Sequence, residues 1–246
     1  MPSPRHLEEL VSTTTEKPVT LITGGSTGIG AATARRLLDA GHRVALTGRD
    51  EGRLEQRVTE LDASEDLLAR VADAGDWEQT RSTVEETVDR FGRLDAVVAN
   101  AGFASPGTVA DGDPAVWREM VLTNVLGPAL LIRAALPALK ESRGRIVLVG
   151  SVAGHVHTPG NLYGATKWAV TGLAENTRRL VTADGVGVTL VGPGRVETPF
   201  WAAAGGAPDS PLLSADAIAD AIVWALRQPA GVDVNTLTVR PVGQPV

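Results

Sequence analysis

Residues 19–40 read VTLITGGSTGIGAATARRLLDA, and this stretch decides how the chain can fold. Its first residues, Val19 to Thr23, form a short β-branched and aliphatic run that is typical of a buried strand. A glycine-rich turn covers Gly24 to Gly30, and Ala31 to Ala40 are good helix formers. Gly41 is a typical stop signal at the end of a helix. The stretch therefore predicts a strand, a tight turn and a helix in direct succession.

The alternation of strand and helix continues to the end of the chain. Further strands are predicted over residues 42–47, 66–72, 94–99, 145–149, 186–191 and 236–239. Helices are predicted over residues 50–61, 77–91, 161–183 and 214–227, and from residue 113 to 140 with the pattern resuming at about residue 122. Such spacing implies βαβ units, and right-handed crossovers then give a doubly wound sheet. We predict an α/β fold: a single Rossmann domain whose seven strands are mainly parallel, follow the order 3-2-1-4-5-6-7 and carry helices on both faces.

Bulk composition narrows the possible functions of the 246-residue chain. The absence of cysteine excludes a disulfide framework, a thiolate zinc site and a cysteine nucleophile. The net charge of −6 is spread without a basic block, which argues against nucleic acid or an anionic membrane as partner. No apolar run approaches the roughly 18 residues of a membrane span. The N-terminus lacks the apolar core of a secretory signal, so we expect a cytoplasmic protein.

The chain is expected to form one domain with a short extension. Residues 1–17 are polar, carry two prolines and a Ser-Thr-Thr-Thr run, and are predicted to be mobile. Residues 18–246 show no linker, internal repeat or low-complexity segment. Within them, residues 195–213 are irregular and rich in Ala, Gly and Pro, which predicts a long loop before the last helix.

Four predicted strand ends carry residues suited to binding or chemistry: Gly24, Asn100, Ser151 and Pro193. Ligands of doubly wound sheets bind in the crevice at the carboxyl ends of the strands. We therefore expect one crevice to collect these four residues.

The glycine turn points to a phosphate group in that crevice. Gly24, Gly28 and Gly30 have the spacing GxxxGxG, which lets the backbone come close to a pyrophosphate. The helix that begins near Gly28 adds unpaired N–H groups and the positive end of its dipole. Glycine alone would also suit any tight turn, but its position between strand and helix favours a dinucleotide.

The end of the second strand bears on which dinucleotide binds. A carboxylate there would hold the ribose 2′-hydroxyl of NAD, yet the strand ends in Gly48 followed by Arg49. A guanidinium can bind a 2′-phosphate in bidentate fashion, and Arg53 lies one helical turn further on. This favours NADP(H); the alternative is an arginine that is merely solvated.

Residues 151–167, SVAGHVHTPGNLYGATK, contain candidate acid/base chemistry. Tyr163 is the only tyrosine, and Lys167 follows four positions later on the same face of the predicted helix. An ammonium beside a phenol is expected to lower the tyrosine pKa, which would suit proton transfer near neutral pH. Ser151 ends a strand twelve residues earlier and can bring a hydroxyl to the same point. The alternative, a partly buried tyrosine on an ordinary helix, fits the rest of the chain less well.

Taken together, the motifs from residue 19 onward resemble those of the classical short-chain dehydrogenases/reductases. Residues 23–30 resemble the TGxxxGIG motif, residues 100–102 the end of NNAG with Ala99 in place of its first Asn, and residues 193–198 the PGxVxT segment. Ser151, Tyr163 and Lys167 match the serine and YxxxK of the family, and Asp73 and Asn124 fall at its adenine-site aspartate and catalytic asparagine. Each motif is modest alone, but their order and spacing are specific.

The resemblance implies hydride transfer between NADP(H) and a ketone, aldehyde or secondary alcohol, without a metal. Tyr163 would be the general acid/base, Ser151 would polarise the carbonyl oxygen, Lys167 would lower the tyrosine pKa and hold the ribose, and Asn124 would support a proton-relay water. The expected cofactor contacts are Gly24, Ser26, Thr27, Gly28, Ile29, Gly48, Arg49, Asp73, Asn100, Ala101, Gly102, Tyr163, Lys167, Pro193, Gly194, Val196 and Thr198.

The resemblance also places candidate substrate contacts. The serine-to-tyrosine step is twelve residues where the family more often has thirteen, so the loop that carries His155 and His157 is expected to be one residue shorter. These histidines are candidates for a substrate anion or are plain loop surface. Arg195 could bind an anionic group or pair with Glu197 or solvent. Residues 200 and 201, Phe and Trp, lie in the family's substrate loop.

The remaining expectations concern relatives and assembly. The C-terminal residues 234–244 resemble the endings of NADP-dependent serine and 3-hydroxy acid dehydrogenases and of clavulanate dehydrogenase. The family usually forms homotetramers or homodimers, and Trp168 is expected to lie in the core or in such an interface. Two other functions stay open: a catalytically silent NADP(H)-binding sensor or scaffold, and a nucleotide-sugar epimerase, for which the segment after Thr198 is short.

Overall fold

Seven parallel strands form one sheet in the order β3-β2-β1-β4-β5-β6-β7, as predicted. A computed structural model describes residues 17–63 and 65–245; of the extension predicted over residues 1–17, residues 1–16 lie outside them. The strands are β1 Val19–Ile22, β2 Arg43–Gly48, β3 Leu67–Val71, β4 Ala96–Ala99, β5 Arg145–Val149, β6 Gly187–Pro193 and β7 Thr236–Val239. The sheet is entirely parallel, whereas the sequence predicted a mainly parallel one.

Helices cover both faces of the sheet. They are α1 Gly28–Asp39, α2 Glu51–Leu61, α3 Trp77–Phe91, α4 Pro114–Val121, α5 Gly127–Ser142, α6 Leu162–Val181, α7 Phe200–Ala203 and α8 Ala215–Leu226. One apolar cluster joins the sheet to α3, α5 and α6, and the other joins it to α1, α2 and α8. Because both faces are covered, β1 and β4 are buried along their whole length.

Capping side chains fix the starts of several helices. Asp50 accepts a hydrogen bond from the backbone of Arg53, and Ser214 accepts one from Ala217. Helix α1 is different, because Thr27 at its N-cap makes no side-chain capping bond. The first N–H groups of α1 therefore remain available to another acceptor.

The run from residue 114 to 142 is one continuous helical segment. The predicted resumption near residue 122 is a π-helical turn over Leu122–Leu126, which joins α4 to α5. By length and apolarity this segment could cross a membrane. Leu131, Ala135 and Leu139 are nevertheless packed in the core against the sheet. We therefore interpret it as a core helix.

Candidate active site

The carboxyl ends of β1, β4, β5 and β6 border one cavity of about 930 Å³. It brings together all seventeen predicted cofactor contacts, together with Ser151, Arg195, Phe200 and Trp201. Three other predicted site residues do not line it: Asn124, His155 and His157. The crevice expected at the strand ends is therefore present, although three side chains assigned to it lie elsewhere.

The glycine turn forms a close-packed wall of the cavity. Gly24 and Gly28 have φ angles of +65° and +55°, which side-chain-bearing residues rarely adopt. A Cβ at Gly30 would overlap the carbonyl oxygen of Gly24 and lie 2.6 Å from Nδ2 of Asn100. That same amide donates hydrogen bonds to the carbonyls of Thr23 and Gly24, at 3.0 and 2.9 Å. Asn100 thus holds the turn in place from the neighbouring strand.

The beginning of α1 suits an anion, as the sequence predicts. Gly28 and Ile29 line the cavity, and the side chain of Thr27 leaves the helix uncapped. Unpaired N–H groups at a helix N-terminus, beside a backbone bare of side chains, form a site for phosphate. The residues present fit the pyrophosphate of a dinucleotide.

The cavity continues past the ends of β2 and β3. A Cβ at Gly48 would lie 3.0 Å from Oγ of Ser26, so only a small residue fits beside that serine. The guanidinium of Arg49 is exposed and stands 5.6 Å from the ring centre of Phe103. Asp73 is fixed by accepting a hydrogen bond from the backbone of Gly75 at 2.8 Å.

The residue after Arg49 is acidic, and its carboxylate bears on a 2′-phosphate as well as on the helix start. Asp50 lines the cavity, although the strand end itself carries no acidic residue. Its Oδ1 accepts the backbone N–H of Arg53 at 2.9 Å, and its Oδ2 stands 3.5 Å from Nε of Arg53. Its negative charge is therefore directed at the start of α2 and at a neighbouring guanidinium.

Ser151, Tyr163 and Lys167 meet at the opposite end of the cavity. The hydroxyls of Ser151 and Tyr163 are hydrogen-bonded, and Ser151 Oγ also accepts the backbone N–H of Ala153 at 3.1 Å. Lys167 is 5% exposed and donates from Nζ to the carbonyl of Val149 at 2.9 Å. Its Nζ lies 5.7 Å from the ring centre of Tyr163. The three side chains are thus preorganised around one point.

The pKa of Tyr163 differs from the expectation. Burial raises it to about 12, and the hydrogen bond from Ser151 offsets only part of that rise. Burial also lowers the pKa of Lys167 to about 8. The expected net lowering of the tyrosine pKa is therefore not seen in this structure, because burial of the phenol outweighs the hydrogen bond from Ser151.

Asn124 lies behind the catalytic groups, in the π-helical turn. It is 1% exposed, and its amide exchanges two hydrogen bonds with the backbone of Phe103, at 3.0 and 2.9 Å. Nδ2 also donates to Oγ1 of Thr166, the residue before Lys167, at 3.1 Å. Asn124 therefore joins the loop after β4 to the helix that carries the catalytic pair.

The substrate loop packs against the tyrosine. The ring of Phe200 stands 5.4 Å from that of Tyr163, and Trp201 makes an edge contact with Phe200 at 5.5 Å. Trp201 also donates from Nε1 to the carbonyl of Val196 at 2.7 Å. Helix α7, which carries both rings, was not predicted from the sequence. It places apolar surface beside the catalytic hydroxyls.

The two loop histidines pack outward. His157 stacks on Trp168 with ring centres 5.1 Å apart and planes 7° apart, and His155 approaches the same ring at 6.4 Å. Both histidines are exposed, and Trp168 is 40% exposed rather than in the core of the chain. The structure therefore gives no support to a substrate contact by His155 or His157, and it favours the surface alternative.

Some residues that line the cavity were not predicted from the sequence. Gln244, near the C-terminus, accepts the backbone N–H of Arg195 at 2.9 Å, and both Gln244 and residues 103–108 line the cavity. Only the position of residues 103–108 directly after β4 could have pointed to them.

Within residues 17–63 and 65–245, no cluster of three or more His, Cys, Asp or Glu could hold a metal.

A parallel sheet in this strand order, with an uncapped helix behind a glycine turn, defines a dinucleotide-binding protein of the Rossmann class. The model of the short chain dehydrogenase family matches residues 18–207. The chain therefore belongs to the short-chain dehydrogenase family and is an oxidoreductase of that family.

Individual relatives agree with this assignment. A sulfoacetaldehyde reductase of Chromohalobacter salexigens is 37% identical, over 92% of this chain and 95% of its own length. The structure of an alcohol dehydrogenase from Thermococcus sibiricus, complexed with 5-hydroxy-NADP, is 32% identical with a TM-score of 0.84, covering 93% of this chain and 98% of that one. A 3-ketoacyl-(acyl-carrier-protein) reductase from Brucella melitensis, complexed with NADH, is 26% identical with a TM-score of 0.84, covering 92% and 97%. These complexes support a nicotinamide cofactor.

Proposed function

We propose that the protein is an NADP(H)-dependent oxidoreductase that interconverts a ketone or aldehyde and the corresponding alcohol, with Tyr163 as general acid/base. One observation carries the proposal: the hydrogen-bonded hydroxyls of Ser151 and Tyr163 and the buried Lys167 share a cavity with the phosphate-binding turn at Gly28. The relatives named a reductase and an alcohol dehydrogenase support the same reaction class.

The side chains divide the proton chemistry among them. The nicotinamide, when bound, supplies or accepts the hydride. Tyr163 stays protonated at neutral pH because burial raises its pKa to about 12, so it is ready to donate a proton to a carbonyl oxygen. The Ser151 hydroxyl can donate to the same oxygen as negative charge develops there. Lys167, largely protonated at pH 7 with its pKa of about 8, stabilises the phenolate that remains.

The preference for NADP(H) rests on Arg49 and its surroundings. Arg49 is exposed at the cavity edge, held over Phe103, and Gly48 brings no carboxylate against a 2′-phosphate. Asp50 opposes a phosphate nearby, but its contacts with the start of α2 and with Arg53 reduce that effect. Similar solved structures contain 5-hydroxy-NADP in one case and NADH in another, so similarity to them does not decide the cofactor preference. The proposed preference therefore depends on Gly48, Arg49 and Asp50.

Activity should be measured by nucleotide absorbance with a panel of ketones, aldehydes and secondary alcohols, using NADPH and NADH in parallel. The wild type is expected to favour NADPH. Tyr163→Phe should lower kcat by about 100-fold or more, the contribution of a positioned general acid. NADPH binding by the variant, followed by fluorescence, serves as the folding control.

The possible outcomes separate the functions that the sequence left open. A Tyr163→Phe variant with full activity would remove Tyr163 from the mechanism. Tight NADPH binding without turnover of any panel compound would favour the silent sensor or scaffold. A clear preference for NADH would contradict the role given to Arg49.

A further inference from the structure

The charged side chains that line the cavity fall into two groups. In the described part of the chain they are Arg49, Asp50, Arg53 and Asp73 at the adenosine end, and Lys167 and Arg195 at the catalytic end. Carboxylates balance the cations only at the adenosine end. The catalytic end holds two cations and no acidic side chain, so its electrostatic potential favours an anion.

The two catalytic-end cations differ in what they can bind. Lys167 is buried and already donates to the carbonyl of Val149 at 2.9 Å. Arg195 is half-buried, and its Nη1 donates to a neutral group, Oγ of Ser210, at 3.0 Å. Among residues 17–63 and 65–245 no carboxylate forms an ion pair with it, and the neighbouring Glu197 is exposed. The pairing with Glu197 that the sequence left open is not seen.

The backbone of Arg195 is held on both sides. Its N–H donates to Oε1 of Gln244 at 2.9 Å, and its carbonyl accepts the N–H of Leu213 at 2.8 Å. Gly194, just before it, donates to the carbonyl of Val239 at 2.7 Å. The guanidinium therefore extends from a fixed point on the wall that also carries Phe200, whose ring contacts Tyr163. Such fixation lowers the entropy cost of binding a ligand group.

We propose that Arg195 binds an oxyanion of the substrate, a carboxylate or a sulfonate, so that the preferred substrates are oxo acids rather than neutral carbonyl compounds. The inference rests on the proposed function of the site and specifies its substrate class. The planar guanidinium matches such an anion in bidentate geometry, and its partial burial strengthens the contact. Ser210 accepts a hydrogen bond from only one nitrogen of the guanidinium, Nη1. Binding the remote anion fixes the reacting carbonyl against Ser151 and Tyr163.

The test compares matched substrate pairs that differ only in charge: pyruvate, acetoacetate and levulinate, each against its methyl ester. Wild-type enzyme should show a higher kcat/KM for at least one acid than for its ester. In Arg195→Gln the acid-to-ester ratio of kcat/KM should fall by about 10- to 100-fold, because a hydrogen bond to a charged group contributes that much to binding. The change should appear mostly as a higher KM for the acids. Arg195→Lys should retain an intermediate ratio.

Two controls distinguish an effect on substrate binding from a general effect of removing an arginine and from an effect on cofactor binding. Arg118→Gln removes an arginine whose side chain is 77% exposed and lies outside the cavity, so its acid-to-ester ratio should equal that of the wild type. NADPH affinity of Arg195→Gln, measured by fluorescence, should stay within about two-fold of the wild type, since a two-fold change is well under 1 kcal/mol.

Several results would overturn the inference. Esters reduced as efficiently as acids by the wild type would refute it while leaving the proposed function intact. An equal loss toward acids and esters in Arg195→Gln, or a large loss of NADPH affinity, would assign Arg195 to the loop or to the cofactor. Failure to reduce any compound of either charge would overturn this inference and the proposed function together.

Discussion

At the scale of single residues, the catalytic pair shows how burial changes chemistry that a motif suggests. Tyr163 and Lys167 occupy one face of α6, as the spacing predicts. Their pKa values move toward the neutral forms, to about 12 and about 8. Burial penalises the phenolate and the ammonium alike, and among residues 17–63 and 65–245 no acidic side chain lines that end of the cavity to compensate. The residue types follow from the sequence, while their protonation follows from the surroundings.

The low pKa of Lys167 makes a prediction about stability. An unfolded lysine has a pKa near 10.5, whereas the folded value is about 8. Below pH 8 both states are protonated, and the buried charge destabilises the fold by a constant amount. Between pH 8 and 10.5 the unfolded chain binds more protons, so the unfolding free energy of the wild type rises with pH.

The measurement compares wild type with Lys167→Met, which has no charge to bury. From pH 7 to 10 the unfolding free energy of the wild type should rise by about 2 kcal/mol relative to the variant, as urea titrations can show. The loss of stability from Tyr163, whose folded pKa is raised, begins only above pH 10. Lys140→Met, which removes a half-exposed lysine paired with Asp184, is the control for replacing a lysine that is not buried. A flat difference for Lys167→Met would contradict the pKa shift.

At the scale of elements, the glycine turn after β1 and the helix α1 are packed tightly against each other and against the end of β4. Gly30 lies in α1, yet its neighbours are the carbonyl of Gly24 and the amide of Asn100. The close approach of helix, turn and β4 therefore depends on a missing side chain. The π-helical turn plays a similar part on the other side, where it directs Asn124 toward Phe103 and Thr166.

Gly30→Ala should damage this unit. The added methyl group forces the Gly24 carbonyl or the Asn100 amide to move, because their atoms already occupy its space. We expect a loss of about 1–3 kcal/mol in unfolding free energy, typical of overpacking, and a weaker NADPH affinity in fluorescence titrations.

Gly52→Ala is the matched control, since Gly52 is an exposed helical glycine in α2. A Cβ there would meet only Oδ1 of Asp50, at an ordinary 3.7 Å. This variant should be neutral or slightly stabilising. If Gly30→Ala behaved like Gly52→Ala, the close packing of the turn would not be essential.

At the scale of the whole molecule, the exposed apolar side chains point to self-association. Val121, Leu126, Trp168 and Leu180 are 41%, 40%, 40% and 69% exposed, and all belong to the run from α4 to α6. Exposed apolar residues grouped on neighbouring elements often mark protein interfaces. We propose that α6 and the helical run of residues 114–142 pair two copies of the chain and that the protein is a homodimer or homotetramer, as the family resemblance implies.

Sedimentation velocity on the wild type should therefore show two or four copies. Leu180→Glu, which adds a charge to α6, should shift the distribution toward smaller species because the carboxylate would be desolvated in the interface. Val71→Glu, at a residue 50% exposed on the edge strand β3, should leave it unchanged. A monomeric wild type would refute the proposal.

Some elements and contacts of the protein could be predicted from the sequence, and others could not. Helix α3 at residues 77–91 and strand β5 at residues 145–149 match the prediction, because apolar runs and helix caps are local signals. The strand order also matches, because it follows from the alternation of strands and helices with right-handed crossovers. The π-helical turn and helix α7 were missed, since their residues carry no distinct periodicity. Two candidate contacts, His155 and His157, were placed near the cavity by chain position alone, but stacking on Trp168 turns them outward.

The sequence by itself determined the parallel sheet, the phosphate-binding turn and the identity of the Ser-Tyr-Lys set. The alternation of strands and helices, the glycine spacing and the residue types are all visible along the chain, and right-handed crossovers turn that alternation into a parallel sheet. Only the tertiary structure decided the protonation of Tyr163 and Lys167, the partner of Arg195 and the presence of Asp50 and Gln244 beside the cavity. These properties arise from burial and from contacts between segments far apart in sequence. Desolvation and packing act on the folded arrangement, and no local pattern encodes them.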